Sequence, residues 1–381
     1  MTDLYKESLE LHKKFKGKLA IAGRMIIKNM HDMSVYYTPG VAEPCRVINR
    51  NKEMAYDFTF KNNTVGIITD GTRVLGLGNI GPEASLPVME GKALIMKQFA
   101  NIDAIPICLK TKTADEFSET VERLEPIFGA INLEDIETPK VWDIERRLSD
   151  SLSIPVFHDD QHGTAMVVLA GIINALKVVG KNKDGIKVGM VGAGSSGYAI
   201  TKLLHFYGIR NIVCFDSKGA IHDDRNDLNK YKKELAIINE SKFKGIINEF
   251  GEADVLITAT GDPKALPEST IKAMSKKNIV FALTNPVSEI SLEQAKKLGI
   301  TVFGTGRSDY PNQINNAVCF PGFLRALLDL RIKKINQKMF VATSETIAKN
   351  VKNPKPELII PDVFDKKLVP AIVSSIRKIN L

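Results

Sequence analysis

Residues 187–216 read KVGMVGAGSSGYAITKLLHFYGIRNIVCFD, and this stretch decides the fold. Its centre, Gly192-Ala193-Gly194-Ser195-Ser196-Gly197, matches the pattern GxGxxG. The apolar run KVGMV before it predicts a strand, YAITKLLHFYG after it a helix, and NIVCF a second strand ending at Asp216, 19 residues beyond Gly197. A strand, glycine turn, helix and second strand closed by an acid form the unit that cradles a dinucleotide. The glycines admit the pyrophosphate to the backbone, the helix N-terminus supplies N–H groups and positive potential, and the acid accepts from the ribose hydroxyls. Gly192, Gly194, Ser195, Ser196, Gly197 and Asp216 are therefore candidate cofactor-binding residues. An acid at Asp216 favours NAD, because it repels a 2′-phosphate. Ser217 and Lys218 directly after it leave NADP possible.

Outward from this unit the strand–helix rhythm continues through DVLITAT, IVFALTN and ITVFGTG. Such alternation implies a doubly wound parallel sheet of Rossmann type with helices on both faces. Upstream, DAIPICL, GAINL and IPVF read as strands, and GPEASLPVMEGKALIMKQFA, TADEFSETVERLEPIF and VWDIERRLSD as helices, which implies a smaller α/β domain ahead of the first. TVGIITDGTRVLGLG (64–78) holds two apolar segments around Asp70-Gly71 and reads as a hairpin. Residues 1–30 read as helical, and PELIIPDVFDKKLVPAIVSSIRKIN as a C-terminal helical return. The boundary falls near 155–165, giving domains 1–157 and 158–381, with HGTAMVVLAGIINALKVVG as a buried helix between them. A second glycine pattern, Gly76 to Gly81, is followed at once by Pro82 and reads as a tight loop shaping a cleft.

The 381 residues carry 52 Lys+Arg against 44 Asp+Glu, a formal charge of +8. Hydrophobic residues are 44% and charged residues 25%, a globular composition that argues against disorder. No apolar run reaches the roughly 20 residues a bilayer span needs. The N-terminal residues are charged throughout and hold no signal-peptide core. Cys45, Cys108, Cys214 and Cys319 are scattered, which fits reduced thiols in a cytoplasmic protein. The lysines are spread out and lack interleaved aromatics, so neither nucleic acid nor membrane is expected as a partner.

Glu134-Asp135 follows GAINL and Asp159-Asp160 follows IPVF, both at strand ends, the usual ligand side of an open α/β sheet. Carboxylates gathered there repel unless a cation joins them, and an all-oxygen set suits Mg²⁺ or Mn²⁺. Capping of the following helices is the competing reading. His158 and His162 share the i, i+4 spacing of a zinc pair, but Gly163 and the preceding strand place them across a loop.

Taken in order, YYTPGVAEPC (36–45), TDGTRVLGLGNIGP (69–82), PVMEGKA (87–93), NLEDI (132–136), HDDQHGTA (158–165), GAGSSG (192–197), ALTNPVSE (282–289) and GTGRSDYPNQINNAVCFPG (304–322) resemble the malic enzymes, in their small prokaryotic-type form. The resemblance implies oxidative decarboxylation of L-malate to pyruvate and CO₂ with reduction of NAD or NADP, dependent on a divalent metal. It implies Tyr37 as general acid, Lys92 as general base and Asp159 as an acid relaying protons or orienting the lysine. It further implies Glu134, Asp135 and Asp160 as metal ligands, Arg73 as a grip on a malate carboxylate, and Asn285 and Asn316 as contacts to substrate and nicotinamide. Burial in an apolar helix is expected to lower the Lys92 pKa toward neutrality. A homodimer is implied, with Tyr37 and Lys92 reaching a neighbour's site in some members. Rivals are a malolactic-type enzyme, an amino-acid dehydrogenase, which needs no metal, and a nucleotide sensor without catalysis.

Overall fold

Two parallel sheets follow one another along the chain. The computed structural model describes residues 3–284, 287–307 and 309–379. Ahead of the first sheet lie α1 (Leu4–Phe15), α2 (Met30–Tyr36), α3 (Ala42–Arg50) and the single turn α4 (Ala55–Phe58). The first sheet is built from β1 (Thr64–Thr69), α5 (Gly81–Ala100), β2 (Asp103–Cys108), α6 (Ala114–Leu124), β3 (Ala130–Leu133), α7 (Lys140–Ser151) and β4 (Val156–His158), with strands in the order β2-β1-β3-β4. Then α8 (Thr164–Val179) leads to the second sheet. Its elements are β5 (Val188–Val191), α9 (Ser195–Tyr207), β6 (Ile212–Asp216), β7 (Gly219–Ala220), α10 (Lys230–Ile238), β8 (Val255–Thr258), α11 (Glu268–Lys272), β9 (Ile279–Ala282), α12 (Leu292–Lys297) and β10 (Val302–Thr305). The strand order is β10-β9-β8-β5-β6-β7, parallel except for the short β7. The helices α13 (Phe320–Asp329), α14 (Gln337–Asn350) and α15 (Leu368–Arg377) close the chain.

The order reverses at β5, which pairs with β6 on one side and β8 on the other. That reversal opens a crevice beyond the carboxyl ends of β5 and β8. In the first sheet the carboxyl ends of β1, β3 and β4 carry Asp70, Glu134 and Asp159. Helices cover the sheets, so strands such as TVGIIT are buried at every residue and read as continuous rather than alternating apolar runs.

Three expectations are corrected. Thr64–Gly78 is a strand followed by a loop, not a hairpin: β1 already has β2 and β3 as parallel neighbours. Beyond Asp70 the chain closes on itself, with Thr69 Oγ1 accepting from the Gly71 N–H, Asp70 Oδ1 accepting from Thr72, and one isolated bridge between Val74 and Gly78. The N-terminal helix stops at Phe15, because Lys16 and Gly17 take left-handed conformations (φ 55° and 106°), and residues 16–29 form no helix. The C-terminal return is helical only from Leu368; before it, Asp362 and Asp365 side chains accept from Phe364 and Lys367 N–H groups and hold turns.

One helical stretch, Asp159–Val179, is long and apolar enough to cross a membrane by length and composition, contrary to the sequence reading. Its residues are instead spent on the core, where α8 packs against α9 and α14. Finally, α13 runs back onto α5 and β3, so the chain end covers the first sheet.

Candidate active site

Lys92 lies on the stripe Ser85, Met89, Lys92, Ala93, Met96 that α5 turns inward. Helical spacing therefore buries a lysine (9% exposed). Its Nζ donates to Glu134 Oε1 and Asp159 Oδ2 and stands 4.7 Å from the centre of the Phe320 ring. Asn316 Nδ2 also donates to Asp159 Oδ2, at 2.5 Å, so the segment after β10 closes the same cluster. Glu134 is oriented from behind by Asn132 Nδ2 at 2.8 Å. Asp135 takes a left-handed conformation (φ 52°), which turns its side chain away from the strand line. Its N–H donates to Asp160 Oδ2 at 2.8 Å. Residues 159–163 form a π-helical turn, a wider turn frequent at functional sites. A Cβ on Gly163 would come within 1.8 Å of Asp159 Oδ1, so only glycine leaves room for that carboxylate.

The expected lowering of the Lys92 pKa is reversed. Burial pushes it down, but the charges of Asp159, Glu134 and Asp160 and the hydrogen bond to Asp159 outweigh burial and hold the amine protonated. Burial pushes Glu134 well up and Asp159 up, against the pull of Lys92. Burial and the Asp160 charge push Asp135 up to about 7. Burial would also raise Asp160, but His158, which faces it at 3.4 Å, together with Lys92 and the Asp135 N–H, holds it at about 2.

One oxygen each from Glu134, Asp135 and Asp160 lie within 4.8 Å of one another. Asp135 Oδ2 and Asp159 Oδ1 are buried without a hydrogen-bond partner. Three converging carboxylates, one of which keeps a buried oxygen without a partner, fit a hard divalent cation. The two histidines do not form a metal pair: His162 Nε2 bonds Glu145 at 2.6 Å, and His158 Nδ1 bonds Gln161 at 3.0 Å.

Beside this cluster lies a cleft of about 730 Å³, lined among others by Arg73, Gly192, Gly194, Asp216, Lys232 and Thr260. Gly192 has φ 110°, and a Cβ there would meet Ala259 O at 2.4 Å. On Gly197 a Cβ would meet Gly192 O at 1.8 Å, so that glycine lets α9 start against β5. Ser195 is buried at the first turn of α9, and the Ser196 hydroxyl donates to Asp160 O at 2.9 Å, which ties the glycine loop to the acidic turn.

Asp216 is more encumbered than its place in the pattern suggested. Arg225 grips both its oxygens at 2.8 and 3.0 Å, Lys232 adds 2.6 Å, and the Lys218 N–H 2.9 Å. The Lys218 ammonium instead reaches Asp227. Sequence reasoning missed Arg225 and Lys232, which a turn and a helix bring back to Asp216; two cations shortly after a strand-end acid were the only signal. The Arg73 N–H donates to Asp135 O at 3.0 Å, and its guanidinium lies against the glycine loop, 3.4 Å from where a Gly194 Cβ would stand.

Tyr37 is not brought to the cluster within one chain. It is 65% exposed at the end of α2, and among the described residues its side chain makes no hydrogen bond. Neither α1, α2 nor α3 buries a residue. Asn285 lies outside the described residues.

A Rossmann sheet, a filled glycine pattern and a lysine–carboxylate cluster at facing strand ends define a dinucleotide-dependent oxidoreductase. Family models agree: "Malic enzyme, N-terminal domain" matches residues 16–149 and "Malic enzyme, NAD binding domain" residues 161–376. The chain belongs to the malic enzyme family, the NAD(P)-dependent enzymes that oxidatively decarboxylate malate. It is 48% identical over 380 residues to the bifunctional malic/malolactic enzyme of Bacillus subtilis, covering 98% of this chain and 92% of that one. It is 47% identical to the NAD-dependent malic enzyme of Geobacillus stearothermophilus, over 93% of this chain and 74% of that one. The solved NAD-dependent malic enzyme of Thermotoga maritima superposes with a TM-score of 0.94 at 43% identity, over 97% of this chain and 98% of that one.

Proposed function

We propose that this chain converts L-malate to pyruvate and CO₂ while reducing NAD in preference to NADP, with Mg²⁺ or Mn²⁺ held by Glu134, Asp135 and Asp160. The observation that carries the reading is the buried Lys92–Glu134–Asp159 cluster, joined to the glycine loop by Ser196. When bound, the cation supplies positive charge to polarise the C2 oxygen of the substrate. Lys92 and Asp159 form a proton-sharing pair: Lys92 becomes a base once Asp159, its pKa raised by burial, takes the ammonium proton. The malate C2–H leaves as hydride for the nicotinamide while the hydroxyl proton passes to this pair. Loss of the C4 carboxylate as CO₂ leaves an enolate, which Tyr37 protonates at C3 to give pyruvate. Arg73, Asn285 and Asn316 hold substrate and nicotinamide. Residues 1–157 then carry Tyr37, Lys92 and part of the metal site, and 158–381 form the nucleotide unit, which adds Asp159 and Asp160.

Tyr37 is exposed and the acidic cluster is buried, so we assign Tyr37 to the site of the partner subunit in a homodimer. The uncovered apolar groups of the N-terminal arm (Leu4, Tyr5, Leu9, Ile21, Met25, Ile26) support such a contact. We place the enzyme in the cytoplasm, where Cys45, Cys108, Cys214 and Cys319, all free, stay reduced.

The test is dialysis against chelator, then L-malate with NAD or NADP, with and without Mn²⁺, following nicotinamide reduction and pyruvate together. Mn²⁺-dependent reduction with equal pyruvate is expected; reduction without pyruvate would leave a plain dehydrogenase. Likeness to the Bacillus subtilis bifunctional enzyme favours a second reading, a malolactic reaction, and lactate formed without net NADH would establish it.

A further inference from the structure

We propose that Gln161, held by Trp142, is a positioning residue for Asp160: it fixes which nitrogen of His158 carries the proton and so which oxygen Asp160 leaves for the cation. The inference rests on Asp160 being a ligand, as proposed above.

The chain of donors has one consistent direction. The Trp142 indole N–H can only donate, and it donates to Gln161 Oε1 at 2.8 Å. That sets the amide: its nitrogen faces Glu145 Oε2 at 2.5 Å and His158 Nδ1 at 3.0 Å. Glu145 is itself anchored by His162 Nε2 at 2.6 Å. An amide nitrogen also only donates, so His158 Nδ1 must accept, which leaves the ring N–H on Nε2. His158 is fully buried, and Nε2 has no hydrogen bond of normal length. Asp160 Oδ2 lies 3.4 Å from it.

Asp160 Oδ2 therefore faces two N–H groups, this one at 3.4 Å and the Asp135 N–H at 2.8 Å. The other oxygen is left to the cation. With the proton on Nδ1 instead, two lone pairs would face each other across those 3.4 Å and push the carboxylate out of line. Outer groups that fix a ligand's orientation commonly change metal affinity 10- to 100-fold. Neither the Trp142 nor the Gln161 side chain bonds a carboxylate of the cluster, so the hydrogen-bonded route from them to Asp160 runs through His158.

The experiment uses the full-length protein, freed of metal by chelator. Nitrogen-15 NMR of His158 in the wild type is expected to show Nε2 protonated and Nδ1 bare. Gln161→Met keeps the volume and removes the donor. It should give mixed tautomers and weaken Mn²⁺, titrated directly by electron paramagnetic resonance of the free ion, about tenfold, with NADH affinity unchanged. A purely packing role would leave the tautomer in place. Trp142→Phe frees the amide to flip and should move the tautomer and Mn²⁺ affinity the same way, and it serves if Gln161→Met does not fold. A wild-type proton on Nδ1, or unchanged Mn²⁺ affinity in the folded variant, would overturn the proposal. A wild type that takes up no Mn²⁺ would overturn the ligand assignment itself, and the tautomer measurement tells the two failures apart.

Discussion

At Lys92 one ammonium answers several carboxylates, and its protonation is decided by that ratio rather than by burial. Lys92→Ala should lower kcat by about 10²–10⁴-fold, the usual scale for a lost acid–base group. NADH binding, followed by fluorescence, should stay near wild type, because the amine touches Glu134, Asp159 and the Phe320 ring but no residue of the glycine loop. A loss of NADH affinity equal to the loss of kcat would point to collapse of the cluster instead. Asp216→Ser removes the negative charge that a 2′-phosphate would meet and leaves Lys232, with Arg225 still held by Asp227, to receive it. The kcat/KM ratio should then move toward NADP by about tenfold or more, the worth of roughly 1.4 kcal/mol. Much at this scale was legible: glycines and acids announce themselves because local backbone geometry and strand ends demand them. The direction of the Lys92 shift was not, because it depends on two acids 42 and 67 positions away that meet the amine only in the fold.

Among the elements, the π-helical turn 159–163 concentrates the most chemistry in the fewest residues. It presents Asp159 to Lys92, lends its Asp160 carbonyl to Ser196, and sends Gln161 and His162 backwards to α7. The sequence reading set the two histidines across a loop; instead His158 ends β4, His162 lies in the wider turn, and the two rings take separate partners. Gly163→Ala would drive a methyl into Asp159 Oδ1. Overpacking of this kind costs about 1–3 kcal/mol. We expect a lower melting temperature together with a fall in kcat of at least about tenfold, since roughly an ångström of misplacement can cost about 10²-fold. A melting shift with unchanged kcat would show that Asp159 tolerates displacement. The hairpin misreading at 64–78 has a related cause. Two apolar runs around Asp-Gly look like paired strands, and only the crossover strands β2 and β3, far along the chain, occupy both edges of β1.

Across the whole molecule, α7 of the first sheet meets α9 and α10 of the second through polar and aromatic contacts. Trp142 packs on Tyr198 and Tyr231, Tyr231 donates to Asp143 at 2.6 Å, and Glu234 gathers Arg146, Lys202 and the Tyr198 hydroxyl. Burial would raise Glu234, but Lys202, Tyr198 and Arg146 hold it down at about 2. A carboxyl depressed in the fold stabilises it fully above its ordinary value of 4.5, and that share is lost as pH falls from there toward about 2. Glu234→Gln should therefore flatten the acid limb of a melting-temperature profile and cost about 1 kcal/mol at pH 7 after screening. An unchanged acid limb would mean that the cluster adds nothing to the fold.

The same scale holds what sequence could not reveal for Tyr37. Its place in YYTPG was plain, yet one chain leaves it exposed and away from the cluster, and only the proposed homodimer would bring it to a site. Mixing inactive Tyr37→Phe and Lys92→Ala homodimers and letting subunits exchange should restore roughly a quarter of wild-type activity, since half the dimers are then mixed and one of their two sites is whole. No recovery despite exchange would place Tyr37 in its own chain's site.

The ammonium of Lys92 has one more consequence. It already sits among carboxylates that would otherwise repel one another, so on the proposed assignment it would stand as placeholder for the divalent ion. Stripping the cation should then leave a protein that keeps its shape, melts within a few degrees of the loaded form and regains full activity on simple readdition. Like a mould left with a peg in it, the pocket waits without slumping.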